Sequence, residues 1–189
     1  MKKIIFFTVL ILMSYVLLAQ HASFGLKAGA NFSNIFIKDN STKYSTGFHV
    51  GGLSHIHLSR KWAMQPELVY SQQGGKTTFN NVETTTHLNY INIPVLFQRM
   101  FGAGFRLEAG PQIGFLINAK DKYGSIEKDV KSSFKTVDFS FPIGIGYSTK
   151  SGLGFDGRWV PGFSNIWESG VSKANNVFQL GLFYHFAHK

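Results

Sequence analysis

The stretch Phe105-Arg-Leu-Glu-Ala-Gly-Pro-Gln-Ile-Gly-Phe-Leu-Ile117 decides the architecture. Phe105, Leu107, Ala109, Pro111, Ile113, Phe115 and Ile117 share one parity. Arg106, Glu108, Gly110, Gln112, Gly114 and Leu116 share the other. Successive side chains on a strand point to opposite faces, so this segment is a strand with one apolar side and one small or polar side.

Seven further segments carry the same split, near 24–32, 48–58, 62–71, 90–97, 137–148, 153–159 and 178–186. Most approach the 9–11 residues that a tilted membrane strand needs. Between the eight segments, connections near 33–45, 73–87, 118–136 and 162–176 are long, and those near 59–61, 99–104 and 149–152 are short. Strict alternation of long and short is the pattern of an outer-membrane barrel, with long external loops and short periplasmic turns. It predicts an even, closed antiparallel ring with both termini in the periplasm.

Orientation of the faces follows from size. An eight-stranded ring is only wide enough inside for side chains. The polar parity carries Gly, Ser, Asn and Gln together with Lys27, Glu67, Arg106, Glu108, Asp138, Asp156 and Arg158. These seven charges are expected to form a paired network in the lumen, because an unpaired buried charge is costly. Phe115, Ile143 and Leu182 are then expected to face lipid. Closure also removes sheet edges, which lipid cannot hydrogen-bond. Trp62, Tyr70, Tyr147, Trp159 and Tyr184 lie near strand ends, where interfacial aromatic girdles form. All five prolines, Pro66, Pro94, Pro111, Pro142 and Pro161, fall in or beside these strands. Proline removes a ladder donor, so irregular pairing is expected there.

The N-terminus reads as a targeting segment. Met1-Lys2-Lys3 is followed by an almost wholly apolar run from Ile4 to Leu18 and then Ala19. This is the order of a secretory signal peptide, and the run is short for a spanning helix. The expected organisation is a signal peptide over 1–19 and one barrel domain over 20–189. The fold class is therefore all-β: an eight-stranded antiparallel transmembrane β-barrel preceded by a cleaved signal peptide, located in the bacterial outer membrane.

Composition bounds the function. Among 189 residues there is no Cys, which excludes disulfides, thiolate metal sites and a Cys nucleophile. Charged residues make up 15%, below the roughly 25% of soluble domains, so much of the surface does not face water. The net charge of +9 is scattered without a dense basic run, which argues against nucleic acid as a partner. His49, His55 and His57 share a strand face, while His185 lies on the last strand with strand one between them, so a three-ligand metal site is not expected. Ser59 follows His57 closely, but no nucleophile elbow, zincin motif or phosphate loop is present. No catalytic residue, metal ligand or cofactor is assigned. Lys120 to Lys131 mixes both signs and reads as a solvated external loop, suited to lipopolysaccharide or an envelope protein partner.

Four segments resemble a known family. They are Gln65-Pro-Glu-Leu-Val-Tyr-Ser-Gln-Gln-Gly74, Tyr90-Ile-Asn-Ile-Pro-Val-Leu-Phe97, Gly110-Pro-Gln-Ile-Gly-Phe-Leu116 and Gly162-Phe-Ser-Asn-Ile166. In order and spacing they resemble the Bacteroidetes outer-membrane β-barrel family, often called PorT-like, over about residues 22–186. The resemblance implies an integral outer-membrane barrel with a structural, adhesive or assembly role. A small pore or transporter, or a lipid-modifying enzyme, are the competing readings.

Overall fold

The computed structural model describes residues 22–37, 40–79, 82–124, 126–168 and 173–186. The signal-peptide reading of 1–19 lies outside them. Eight antiparallel strands form the wall: β1 (Ala22–Ile37), β2 (Ser45–His57), β3 (Trp62–Phe79), β4 (Val82–Met100), β5 (Phe105–Ala109 and Gln112–Tyr123), β6 (Val137–Ser140 and Ile143–Ser148), β7 (Leu153–Pro161) and β8 (Lys173–His185). Each pairs with its sequence neighbours, and β1 pairs with β8 from Gly25↔His185 to Ile37↔Lys173. The sheet is therefore a closed ring.

The parities separate as the alternation requires. Phe115, Ile143 and Leu182 are 37%, 48% and 61% exposed, while Glu67 and Arg158 are each 4% exposed. Ile56 departs from this pattern and is buried, although Phe48 and Val50 on the same face of β2 are exposed. Aromatic rings gather at two levels. Tyr147 stacks on Phe155 and Tyr184 meets Phe186 towards the short turns, whereas Phe48 meets Tyr70 and Trp159 stacks on Phe178 towards the long connections. Two such levels suit the two interfaces of a bilayer.

The prolines interrupt the ladders. Pro111 and Pro142 fall in the breaks of β5 and β6. Glu67 and Leu68, next to Pro66, have no partners in the β3–β4 ladder, and Pro161 is the last residue of β7. These positions lie side by side around the wall. Val95 beside Pro66 donates its amide hydrogen to Pro111 O, Gly110 donates to Pro142 O, and Phe141 donates to Pro161 O. A register shift also occurs in β4–β5 between Asn89 and Tyr90.

The long connections differ from the sequence expectation, because strand runs into each of them. Residues 73–79 and 82–87 are not loop but the outer half of a continuous β3–β4 hairpin. At 18 and 19 residues, these strands are far longer than the roughly 9–11 needed to span. Thr77, Thr78, Thr84, Thr85 and Thr86 are β-branched and favour extended backbone even where no face is buried. Residues 118–123 likewise continue β5, and 120–123 pair with the short strand Ile126–Asp129.

Candidate functional site

Inward positions on six strands converge on Arg158. Its Nη1 donates to Glu67 Oε2 and its Nη2 to Glu67 Oε1, both at 2.8 Å, a bidentate pair. Its Nε donates to Glu108 Oε1, and Nη2 also reaches Asp156 Oδ2 at 3.3 Å. Lys27 Nζ lies 3.2 Å from Asp156 and 3.4 Å from Glu67. Arg106 Nε lies 3.6 Å from Glu108, and its guanidinium sits over the Phe183 ring at 4.2 Å. Gln65 and Gln98 donate to Glu67 and Glu108 at 2.7 and 2.8 Å. Three cations thus face three carboxylates, all nearly free of solvent. The space for this comes in part from Gly181: a Cβ there would lie 2.7 Å from Asp156 Oδ1 and 3.1 Å from His49 Nε2.

Six of the seven lumen charges meet in this way. Asp138 does not. It faces inward on β6, but above the Phe141-Pro142 break, where it accepts the Ser164 hydroxyl hydrogen. Its register partner is Gly114, whereas Arg106 and Glu108 pair with the other half of β6.

Above the six-charge network the lumen lining is polar. Asn31 Nδ2 donates to Ser71 Oγ at 3.0 Å, and Asn31 Oδ1 bonds to His49 Nδ1 at 2.8 Å and to Gln179 at 3.2 Å. Higher still, the chemistry turns apolar. Ile35, Leu88, Tyr90, Leu116, Ala119, Phe134 and Ile166 form one buried cluster, with Val130 and Trp167 packed against it. Phe134 and Ile166 come from the third and fourth long connections. These are joined by the Phe134↔Trp167 bridge, by Lys135 N–H to Ile166 O and by Glu168 N–H to Ser133 O. Phe134 and Trp167 rings meet edge to face at 4.8 Å. Strand periodicity does not reach these loops, so the cap was not legible. The one available signal was isolated bulky apolar residues in otherwise polar segments. The solvated reading of the loop at 120–131 holds for Lys120, Lys122, Lys128 and Asp129, which are exposed, but not for Val130.

At the short-turn end, His55 and His185 are closer than strand order suggests, with ring centroids 5.2 Å apart. β1 does lie between them, but the intervening residue is Gly25, where a Cβ would fall 3.2 Å from His185 Cδ2 and 3.0 Å from Leu53. The missing side chain lets the imidazole pass. His57 meets His55 at 4.6 Å. Among the described residues, no group of three or more His, Asp or Glu side chains is placed to hold a metal ion. Ser59 Oγ accepts the amide hydrogens of Lys61 and Trp62, which closes the first short turn.

A closed antiparallel wall, hydrocarbon outside and paired charge within, defines an integral membrane β-barrel. The chain belongs to the outer membrane protein beta-barrel domain family, which matches residues 18–168, and this places it in the bacterial outer membrane. Neisserial surface protein A superposes with a TM-score of 0.65 at 12% identity, covering 88% of this chain and 100% of that one. Ail, the attachment invasion locus protein of Yersinia pestis, gives 0.53 at 12% identity, covering 87% and 99%. No curated protein matches the sequence.

Proposed function

We propose that this chain is a non-enzymatic outer-membrane barrel that acts through its external loops, in a structural, adhesive or assembly role. In this reading residues 1–19 are its export signal and 20–189 its barrel. Both termini and the short turns face the periplasm, and the protein belongs to the Bacteroidetes PorT-like branch that its motifs resemble. The lumen charge network of Lys27, Glu67, Arg106, Glu108, Asp156 and Arg158 serves as a plug that holds the wall together, with Asp138 as a separate anchor for the fourth long connection.

The observation that carries the reading is the doubly filled lumen. Ion pairs occupy its middle and an apolar cluster its long-loop end, so little is left inside to carry a solute. What is offered to the surroundings lies on the loops. Phe163 and Ile126 are 73% and 68% exposed, and Lys120, Lys122 and Lys128 stand around the β5 hairpin. Exposed apolar side chains beside cations suit a protein partner or the anionic groups of lipopolysaccharide. Ail, one of the structural neighbours, is itself an attachment and invasion locus protein.

Two measurements test this. Planar-bilayer recordings of the refolded full chain are expected to show no steady conductance. A stable, selective current would replace the reading with that of a small pore. Photo-cross-linking from Phe163 in native membranes is expected to capture envelope components, and capture equal to that from a lipid-facing position such as Leu182 would remove the loop-mediated role.

A further inference from the structure

Two concavities on the outside of the wall meet at Arg99. One is a groove of about 570 Å³ lined by Trp62, Phe97, Leu107, Ile143, Ile145 and Gly157. The other is a hollow of about 480 Å³ between the first two short turns, lined by Arg60, Lys61, Met100 and Phe101. Arg99 lines both.

The groove exists because Gly157 leaves one outward position bare. Its neighbours on that face, Phe155 and Trp159, project outward, and a Cβ on Gly157 would touch only Leu180, at 3.6 Å. The short turns at this end are of one sign. No acidic residue of the chain falls within 58–61, 99–104 or 149–152, which hold Arg60, Lys61, Arg99 and Lys150. Among the described residues, none of these four cations has a carboxylate partner. The Arg99 guanidinium lies over the Trp62 ring at 4.9 Å, which fixes a cation at the depth where indoles sit in an interface.

Hydrocarbon walls leading to an unpaired cationic hollow are the complement of an amphiphile with an anionic head. We propose that the groove and hollow hold one anionic glycerophospholipid, with an acyl chain along Gly157 and the phosphate against Arg60, Lys61 and Arg99. The choice of a glycerophospholipid over lipid A rests on the orientation given above, in which the short turns lie at the periplasmic leaflet.

The full chain in nanodiscs of phosphatidylcholine and phosphatidylglycerol provides the test, with retained lipid read by native mass spectrometry. The wild type is expected to retain phosphatidylglycerol over phosphatidylcholine. Arg99→Gln is expected to lower that preference about five-fold, the usual worth of one cation at an anionic surface, and Arg60→Gln with Lys61→Gln to lower it further. Gly157→Leu fills the groove without touching a charge and is expected to lower retention too. Lys150→Gln, in the turn that does not line the hollow, is expected to keep it. Equal retention of the two lipids, a loss with Lys150→Gln as large as with Arg99→Gln, or displacement of phosphatidylglycerol by equimolar lipid A would overturn the proposal. Heat-modifiable migration confirms that each variant has folded. Orientation is read separately: Ser151→Cys gives this cysteine-free chain a single thiol. Labelling of that thiol in intact cells by an impermeant maleimide would refute the orientation while leaving the lipid preference to be judged in vitro.

Discussion

Around Arg158 the lumen is filled by charge, and around Phe134 by hydrocarbon. Both regions are buried and both lie inside the same wall. The difference lies in who supplies the side chains. In the middle, every contributor is an inward position of a strand, and a closed ladder cannot turn such a position away. Whatever stands there has to be satisfied where it is, which the network does with three cations against three carboxylates. At the long-loop end the ladder has ended on one side. Loop backbone is free to bring Phe134 and Ile166 inward and leave Lys131 and Glu168 outside. The middle is thus held by balance, and the cap by packing.

The charged middle is the more sensitive of the two regions to a single substitution. Arg158→Ala strands Glu67 and Glu108 without their main partner, and removing one member of a buried pair typically costs about 3–5 kcal/mol. Denaturant titration of the refolded protein in lipid vesicles is expected to show a loss of that size. Arg158→Lys is expected to recover only part, since an ammonium cannot reproduce the bidentate contact with Glu67. Loss below about 1 kcal/mol would mean that water, not the network, satisfies these carboxylates.

The cap is expected to respond less. Phe134→Ala removes a ring packed against Trp167 and should cost roughly 3 kcal/mol, the low end for such truncations, because the site borders a loop. The same titration reads the energy. Faster hydrogen exchange confined to residues 130–136 and 164–168 would mark the change as local, whereas exchange throughout the barrel would erase the distinction drawn between the two regions. Gly181→Ala comes next. Its added methyl crowds Asp156 and His49, and overpacking of this kind costs about 1–3 kcal/mol. A neutral result would show that the network has slack.

The same division explains what the sequence made legible. Within β5, parity alone separates Phe115 from Gly114 and Leu107 from Glu108, and the closed wall then puts one set outside and the other inside. The six-member network was readable as a set of inward charges, but its partners were not, because register across the ring depends on strand stagger. Parity groups Asp138 with it, but the break at Phe141-Pro142 puts it at another level. Strand counting keeps His185 and His55 apart, because it does not register that Gly25 between them has no side chain. The long β3–β4 hairpin and the cap have no alternating buried face to reveal them. In one case β-branched threonines extend a strand into water, and in the other isolated apolar residues fold back over it.

The smallest effect belongs to the solvated rim. Lys120 and Glu127 form an ion pair at 3.1 Å across the β5 hairpin, with both side chains about half exposed. The hydrogen bond and charge of Lys120 hold the Glu127 carboxyl below its ordinary range. A depressed carboxylate contributes stability that is present above its unfolded value and lost as pH falls through the folded one, so any contribution from this pair disappears only in acid. Exposed pairs also lose Coulomb energy to solvent and salt. Glu127→Gln is therefore expected to leave the unfolding midpoint at neutral pH unchanged within error, in low salt and in high. A clear loss at low salt that salt abolishes would show that the hairpin is held by charge, and that the rim, like the middle of the lumen, depends on balance.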